Sequence, residues 1–197
     1  MKMAPRKSAG RPRGSDHGLS KQAILSTALK LVQRHGVEAI SFRKLAIALD
    51  VSPMAVKHHV GTQHDLLADL VEIAFKGTLD GIECDEPEGR LKHILEAYCT
   101  RAITNSNLIS LVLADASLIG NEIRAITRQI RENTQLLHAG DPDDVLLGLL
   151  VDYTHGFVFS YVAAGPEHGP TMDDFRRSVD WVLNASKHCL PETQPKK

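Results

Sequence analysis

A short run of polar and cationic side chains between positions 52 and 62 has the composition of a surface that binds a polyanion. A hydroxyl, a thioether, an ammonium group and two imidazoles fall on one side of a short predicted helix: Ser52, Met54, Lys57, His58 and His59. The major groove of DNA is wide enough to admit a helix with such an outer face. The alternative is an ordinary helical hairpin with a solvated outer face, and this run by itself does not decide between the two.

Two helices joined by a tight turn are needed to hold that face outward. The spacing of apolar residues predicts the first helix over residues 42–49. Ser52 followed by Pro53 predicts the start of the second helix, because the Ser hydroxyl accepts a free N–H group and Pro presets φ. Leu45 and Val56 then lie where the two helices must pack against each other.

The same patterns predict an all-α fold. An amphipathic helix from about Ser20 to Gly36 precedes the pair, and a capping-box-like start at Thr62 opens the helix that follows. We therefore expect a three-helix, helix-turn-helix domain over 19–64 and a larger C-terminal helical domain over 65–197. Helices of the larger domain are predicted at about 90–105, 108–119, 121–138, 142–164 and 172–190.

Charge is distributed unevenly along the chain. Residues 1–64 contain 11 Lys and Arg against 3 Asp and Glu, whereas residues 65–197 contain 12 against 21. Residues 1–18 have no apolar periodicity and are predicted to be a disordered basic arm. In its Gly-Arg-Pro-Arg element, Arg11 and Arg13 are candidates for the minor groove of DNA, and a solvated tail is the alternative. A basic front half indicates that this part of the chain faces a polyanion.

Several function classes have no support in the sequence. There is no P-loop, no G-x-G-x-x-G, no G-x-S-x-G and no di-metal carboxylate spacing, so we expect no enzyme and no cofactor. The ten histidines lack metal-ligand spacing, which predicts no metal site. Three cysteines without such spacing and the absence of a signal peptide predict a cytoplasmic protein, which binding to DNA would associate with the nucleoid. Residues 145–164 are apolar, but Asp152 and His155 lie across their middle, which favours a buried helix over a membrane span.

Residues 19–75 resemble the DNA-binding module of the TetR family of bacterial transcriptional repressors. The resemblance is carried by Leu45-Ala46, Leu49, Val51-Ser52-Pro53-Met54-Ala55, His59-Val60 and Asp65-Leu66-Leu67. The chain departs from the family pattern at three positions. Asp50 replaces a turn Gly but tolerates a left-handed conformation. Lys57 replaces an aromatic residue that contacts a phosphate, and Gln63 replaces a Lys at the start of the next helix, where N–H groups can still hold a phosphate.

The resemblance implies a homodimeric repressor that a small-molecule effector releases from a near-palindromic double-stranded DNA operator. The expected phosphate contacts are Arg43, Lys44, Lys57 and Thr62. The expected base-reading residues are Ser52, Met54, His58 and His59, with Pro53 at the start of their helix. Two alternatives remain open, an architectural or ligand-independent DNA-binding protein and a helical enzyme without a recognisable motif.

The resemblance also places a ligand pocket and a dimer interface in the larger domain. Two helical faces offer candidates for the pocket: Tyr98, Arg101 and Asn105 on one, and Asp152, His155 and Phe159 on the other. Apolar residues of the last two helices are the candidates for the interface: Leu146, Leu150, Phe157, Phe175, Val179 and Val182. Structural pairing of the polar residues and packing of the apolar ones within a single chain are the alternatives.

Overall fold

The computed structural model describes residues 19–187 except Gly140, Pro142 and Pro166. The predicted basic arm, with Arg11 and Arg13, lies outside the described residues. The described part is helical throughout and contains no strand, which agrees with the predicted all-α class. Its α-helices are α1 (Lys21–His35), α2 (Phe42–Leu49), α3 (Pro53–Val60), α4 (Gln63–Phe75), α5 (Pro87–Thr104), α6 (Ser106–Ala114), α7 (Asn121–Leu137), α8 (Val145–Ala164) and α9 (Met172–Ser186).

The helices of the N-terminal domain begin where hydroxyl side chains can cap them. Ser20, Ser41 and Ser52 each accept a hydrogen bond from the N–H group three residues further on. Thr62 and Thr171 begin α4 and α9 with complete capping boxes. These starts were predicted from the sequence, because the interaction that fixes each of them is local.

The turn between α2 and α3 is left-handed at Asp50, with φ of 52° and ψ of 46°. The Asp50 N–H group donates to the carbonyl oxygens of Ala46 and Ile47 and so ends α2. Beyond the turn, Val56 of α3 is fully buried, as is Leu45 of α2. The inner faces of the two helices therefore pack together, and the outer face of α3 points to solvent.

Helix α4 connects the helix-turn-helix to the larger domain. It packs against α1 and α3 on one side and against α5 and α7 on the other. Leu66, Leu70 and Phe75 of α4 are fully buried in one continuous apolar core. A displacement of the body helices can therefore reach α3 through α4.

The boundaries of the body helices differ from the predicted ones where an acidic side chain caps a helix. Helix α5 begins at Pro87 because the Glu86 carboxylate accepts the N–H groups of Glu88 and Gly89. Helix α6 ends at Ala114, and Asp115 caps a 3₁₀ turn that follows it. Helix α8 begins at Val145, whose N–H group donates to the Asp141 carboxylate. A further 3₁₀ turn, Val37–Ala39, was not predicted.

Helix α8 has one side in the core and one side in solvent. Within the described part of the chain it alone is long and apolar enough to cross a membrane, and 33% of its most apolar stretch is buried in protein. The buried side carries Leu146, Leu147, Leu150, Thr154, Phe157 and Val158. The opposite side exposes Val145, Leu149, Phe159 and Val162. A charged residue, Asp152, also lies on this exposed side.

Candidate nucleic-acid interface and effector-binding residues

The outer face of α3 presents most of the predicted DNA-reading residues to solvent. These are Ser52, Pro53, Met54, Lys57 and His58, with His59 half-buried at the edge. Met54 is 73% exposed although it is apolar, so its thioether is available to an apolar base edge such as the methyl group of thymine. The rings of the two histidines meet edge to face with centroids 5.7 Å apart.

The candidate phosphate ligands differ in how free they are. Arg43 and Lys57 are exposed and have no acidic partner among the residues that the structure describes. Lys44, in contrast, donates from Nζ to the carbonyl oxygen of Glu38 at 2.6 Å. This bond uses one of the three N–H donors of the ammonium group and leaves two for a phosphate, but it fixes where the group lies.

Thr62 is fully engaged in the capping box of α4. Its Oγ1 accepts the Asp65 N–H group at 3.1 Å and donates to Asp65 Oδ2 at 2.8 Å, and its own N–H group donates to the same oxygen. These bonds hold the pKa of Asp65 below its ordinary value, so the carboxylate is ionised at neutral pH. In this conformation Thr62 has no donor left for a phosphate. The donors at this helix start are instead the N–H groups of Gln63 and His64.

One candidate contact was missed by the sequence patterns. Ile47 on α2 is 73% exposed, as far out of the core as Met54 on α3. Its position between the cationic Lys44 and the turn residue Asp50 places it on the outward side of the helix pair. An exposed isoleucine beside polar neighbours was the only available indication, and single exposed apolar residues are common enough to carry little weight in a sequence.

Two of the predicted effector residues bind each other inside the body. The Tyr98 hydroxyl lies 2.7 Å from His155 Nε2, and their rings meet edge to face. Burial raises the pKa of Tyr98 and lowers the pKa of His155, so both groups are neutral near pH 7. The hydroxyl therefore donates and the unprotonated Nε2 accepts. The other two candidates on α8, Asp152 and Phe159, lie on the exposed side of the helix.

Arg101 of α5 and Asn105, the residue that ends α5, line a groove whose lining does not include Tyr98. The groove lies between α1, α4 and α5 and has a volume of about 710 Å³, which is within the range of small-molecule sites. The side-chain amide of Gln33 on α1 donates to Asn105 Oδ1 at 2.9 Å across it. Tyr98 and Arg101 were expected to act together, but the structure does not bring Tyr98 to this groove.

The predicted dimer-interface residues lie mainly inside the single chain. Leu146, Leu150, Phe157, Phe175 and Val179 are each no more than 6% exposed because they pack within the subunit, and Val182 is half-buried. Phe157 and Phe175 pack with ring centroids 5.0 Å apart. The surface that a second copy could reach is the opposite side of α8 and the outer side of α9. We call the residues Val145, Leu149, Phe159, Val162 and Trp181 the α8/α9 face; Trp181 is 73% exposed.

Two glycines also lie on the exposed side of α8. Gly148 and Gly156 are exposed, and a Cβ atom added at either position would meet nothing within 4 Å. Glycine weakens a helix by about 1 kcal/mol relative to alanine. Two of them beside exposed apolar side chains leave α8 open to the close approach of another helix.

Comparison with known proteins identifies the fold. No protein-family model matches the chain, and no curated protein matches it. Solved structures do match. BioQ from Mycobacterium smegmatis is 19% identical, with a TM-score of 0.71 over 86% of this chain and 98% of that one. BioQ with its natural double-stranded DNA operator matches with a TM-score of 0.67 at 19% identity, over 86% of this chain and 99% of that one.

A third structure carries the family description. The TetR family protein ActR from Streptomyces coelicolor, in complex with (S)-DNPA, matches with a TM-score of 0.64 at 18% identity, over 85% of this chain and 96% of that one. The protein is thus all-helical, with an N-terminal helix-turn-helix and a C-terminal helical body. This is the fold of TetR family regulators.

Proposed function

We propose that this protein is a transcriptional regulator that binds double-stranded DNA through α3 and represses by occupying its operator. The observation that carries the proposal is the outer face of α3, where Met54, Lys57 and His58 stand exposed on a helix whose inner side is locked into the core. Polar and cationic groups on a protruding helix provide both the phosphate contacts and the base contacts that sequence-specific binding needs. A similarly folded protein, BioQ, has been crystallised with its DNA operator.

The protein acts as a homodimer, with the α8/α9 face as the interface. Five large apolar side chains on one side of α8 and α9 are exposed in the single chain, and burying such a surface is the usual reason for association. A two-fold dimer presents two copies of α3, so its operator is near-palindromic. A regulator that binds chromosomal DNA acts in the cytoplasm, at the nucleoid. This function involves no catalytic step.

A small-molecule effector regulates DNA binding. The protein offers a groove that contacts both α1 of the DNA-binding domain and α5 of the body, and ActR, which shares the fold, has been crystallised with a small molecule. For such an effector to release DNA, it must bind the DNA-incompetent arrangement more tightly, and DNA must weaken effector binding by the same factor.

DNA binding is tested with the duplex that flanks the protein's own coding region, by fluorescence anisotropy at two salt concentrations with random-sequence competitor. We expect tight binding that weakens with salt and survives the competitor. Binding that the competitor abolishes would support an architectural, sequence-independent role. Absence of binding at both salt concentrations would contradict the proposal and favour a different activity of the larger domain.

A further inference from the structure

Arg101 has no acidic partner among the residues that the structure describes. It is half-buried on α5, where its side chain lines the groove between α1, α4 and α5. Among the described residues no carboxylate, carbonyl or amide oxygen accepts a hydrogen bond from its guanidinium group. The acidic residue nearest to it along the groove wall, Glu96, is instead paired with Arg176 on α9. A partly desolvated guanidinium that the protein leaves unpaired is an anion-binding group, because its planar donors match a carboxylate.

The rest of the groove combines polar side chains, among them His93, Thr100 and Thr104, with an apolar strip. Leu29, Ile73 and Ala97 form its apolar wall. A second groove, of about 620 Å³, shares Leu29 and Ile73 with it and continues along α1 towards Leu25. Because they share these two residues, the two grooves form one elongated surface, with Arg101 in the first groove and Lys21 and Lys76 in the second. Lys21 is paired with Asp69, whereas Arg101 is the cation beside the strip of Leu29, Ile73 and Ala97.

We infer that the groove between α1, α4 and α5 binds an amphipathic organic anion, whose carboxylate pairs with Arg101 and whose apolar chain lies along Leu29 and Ile73. The inference rests on the proposed function in one respect, namely that occupancy alters DNA binding. Gln33 of α1 and Asn105, the residue that ends α5, are joined by a hydrogen bond across the groove. A ligand seated there contacts both helices and so favours one spacing of α1 and α5 over others, which changes the position of the DNA-binding domain relative to the body.

The test uses the full-length protein and three probes of equal chain length: octanoate, 1-octanol and octylammonium. Isothermal titration calorimetry should show saturable binding of octanoate, one per chain. The neutral and cationic probes should bind about tenfold or more weakly, because neither offers a carboxylate to the charged donors of Arg101.

Two variants locate the site and one serves as control. Arg101→Gln should weaken octanoate binding about tenfold or more while changing octanol binding little. Thr100→Phe should block all three probes, since this exposed residue lines the groove and can fill it without entering the core. Arg128→Gln is the matched control, because Arg128 is an exposed arginine on α7 away from the groove, and it should leave octanoate binding unchanged.

The outcomes separate the site from the proposed function. Octanoate binding that is unchanged in Arg101→Gln, equal binding of octanol, or no saturable binding would each overturn the anion site. Saturable octanoate binding that leaves operator affinity unaltered would overturn the coupling to DNA and leave the site standing. Failure to bind any operator duplex in the absence of octanoate would overturn the proposed function and leave the calorimetric result valid.

Discussion

The ammonium group of Lys57 lies on the outer face of α3. Its side chain is exposed and unpaired among the described residues, so nothing within the protein competes with a phosphate for it. A point charge contacts any phosphate equally well and reads no base. Lys57 should therefore contribute affinity but not sequence preference.

Lys57→Ala should weaken binding to operator and to random DNA by a similar factor. It should also reduce the magnitude of the slope of log K against log salt by about 2 for the proposed dimer, because one fewer counterion is released at each of its two α3 helices. The measurement is anisotropy across a salt series, with Lys30→Ala as control, since Lys30 is an exposed lysine on α1. A change in the ranking of sequences, without a change in salt slope, would show that Lys57 reads bases.

His58→Ala, unlike Lys57→Ala, should change the preference between DNA sequences. Its imidazole is exposed near the middle of the outer face of α3, within reach of base edges when the helix enters the groove. Loss of a base contact costs about 1–3 kcal/mol on the preferred sequence and much less on others. A selection of bound duplexes from a randomised half-site would detect the relaxed preference. An unchanged preference with uniformly weaker binding would instead mark His58 as a phosphate ligand.

The buried Tyr98–His155 pair makes stability depend on pH. Burial lowers the pKa of His155 from its ordinary value of 6.5, so the folded state holds fewer protons than the unfolded state. Its contribution to stability is fully present above about pH 6.5 and is lost as the pH falls through the lowered pKa. His155→Gln, which can still accept from Tyr98, should flatten the fall in urea midpoint between pH 7.5 and 5.5.

The control for that measurement is His93→Gln on the same helix as Tyr98. His93 is exposed, and its removal should leave the pH dependence of the urea midpoint as in the unsubstituted protein. If the urea midpoint falls with pH equally in His155→Gln and in the unsubstituted protein, the Tyr98–His155 pair does not titrate between pH 7.5 and 5.5.

At the scale of elements, the turn at Asp50 determines where α3 points. A left-handed backbone at a non-glycine residue costs about 1–2 kcal/mol, and Asp and Asn tolerate it better than most other residues. Asp50→Ala should therefore lower the free energy of unfolding by about 1 kcal/mol, whereas Asp50→Gly should be close to neutral. Urea unfolding of the two variants measures the difference. Equal stability of the two would mean that the turn relaxes out of the left-handed conformation.

Helix starts were predictable because they depend on neighbours in sequence. Ser52, Thr62 and Thr171 each cap a group within three residues. The end of α6 was placed five residues too far because the Asp115 carboxylate, which caps the 3₁₀ turn after it, also fits a helix surface. Apolar periodicity alone does not distinguish a capped break from a continuing helix.

At the scale of the whole molecule, the sequence could not say which side of α8 faces the core. The helix is apolar nearly all round, so periodicity assigns it no inward side. Leu146 and Leu150 were therefore expected at a dimer interface and are instead buried within the subunit. The pairing of Tyr98 with His155, 57 positions apart, depends on the same packing choice. The buried side of α8 and the Tyr98–His155 contact both depend on how helices distant in the sequence pack together.

The α8/α9 face is expected to hold two copies together, and Leu149→Glu tests it. Leu149 is 51% exposed at the centre of that face. A carboxylate that must be buried on association is strongly unfavourable, so the variant should sediment as a monomer and bind operator much more weakly. Leu136→Glu is the matched control, because Leu136 is a 70% exposed leucine on α7. A dimeric Leu149→Glu variant would place the interface elsewhere.

Trp181 gives the molecule a built-in fluorophore. It is the chain's only tryptophan, and its indole projects from α9 into solvent. Because there is no other tryptophan, all indole emission from this protein reports on the α8/α9 face. That emission shifts to shorter wavelength when the ring leaves water. The wavelength of maximum emission, measured while the unlabelled protein is diluted, would then follow dissociation of the dimer. The measurement works at concentrations far below those that sedimentation requires.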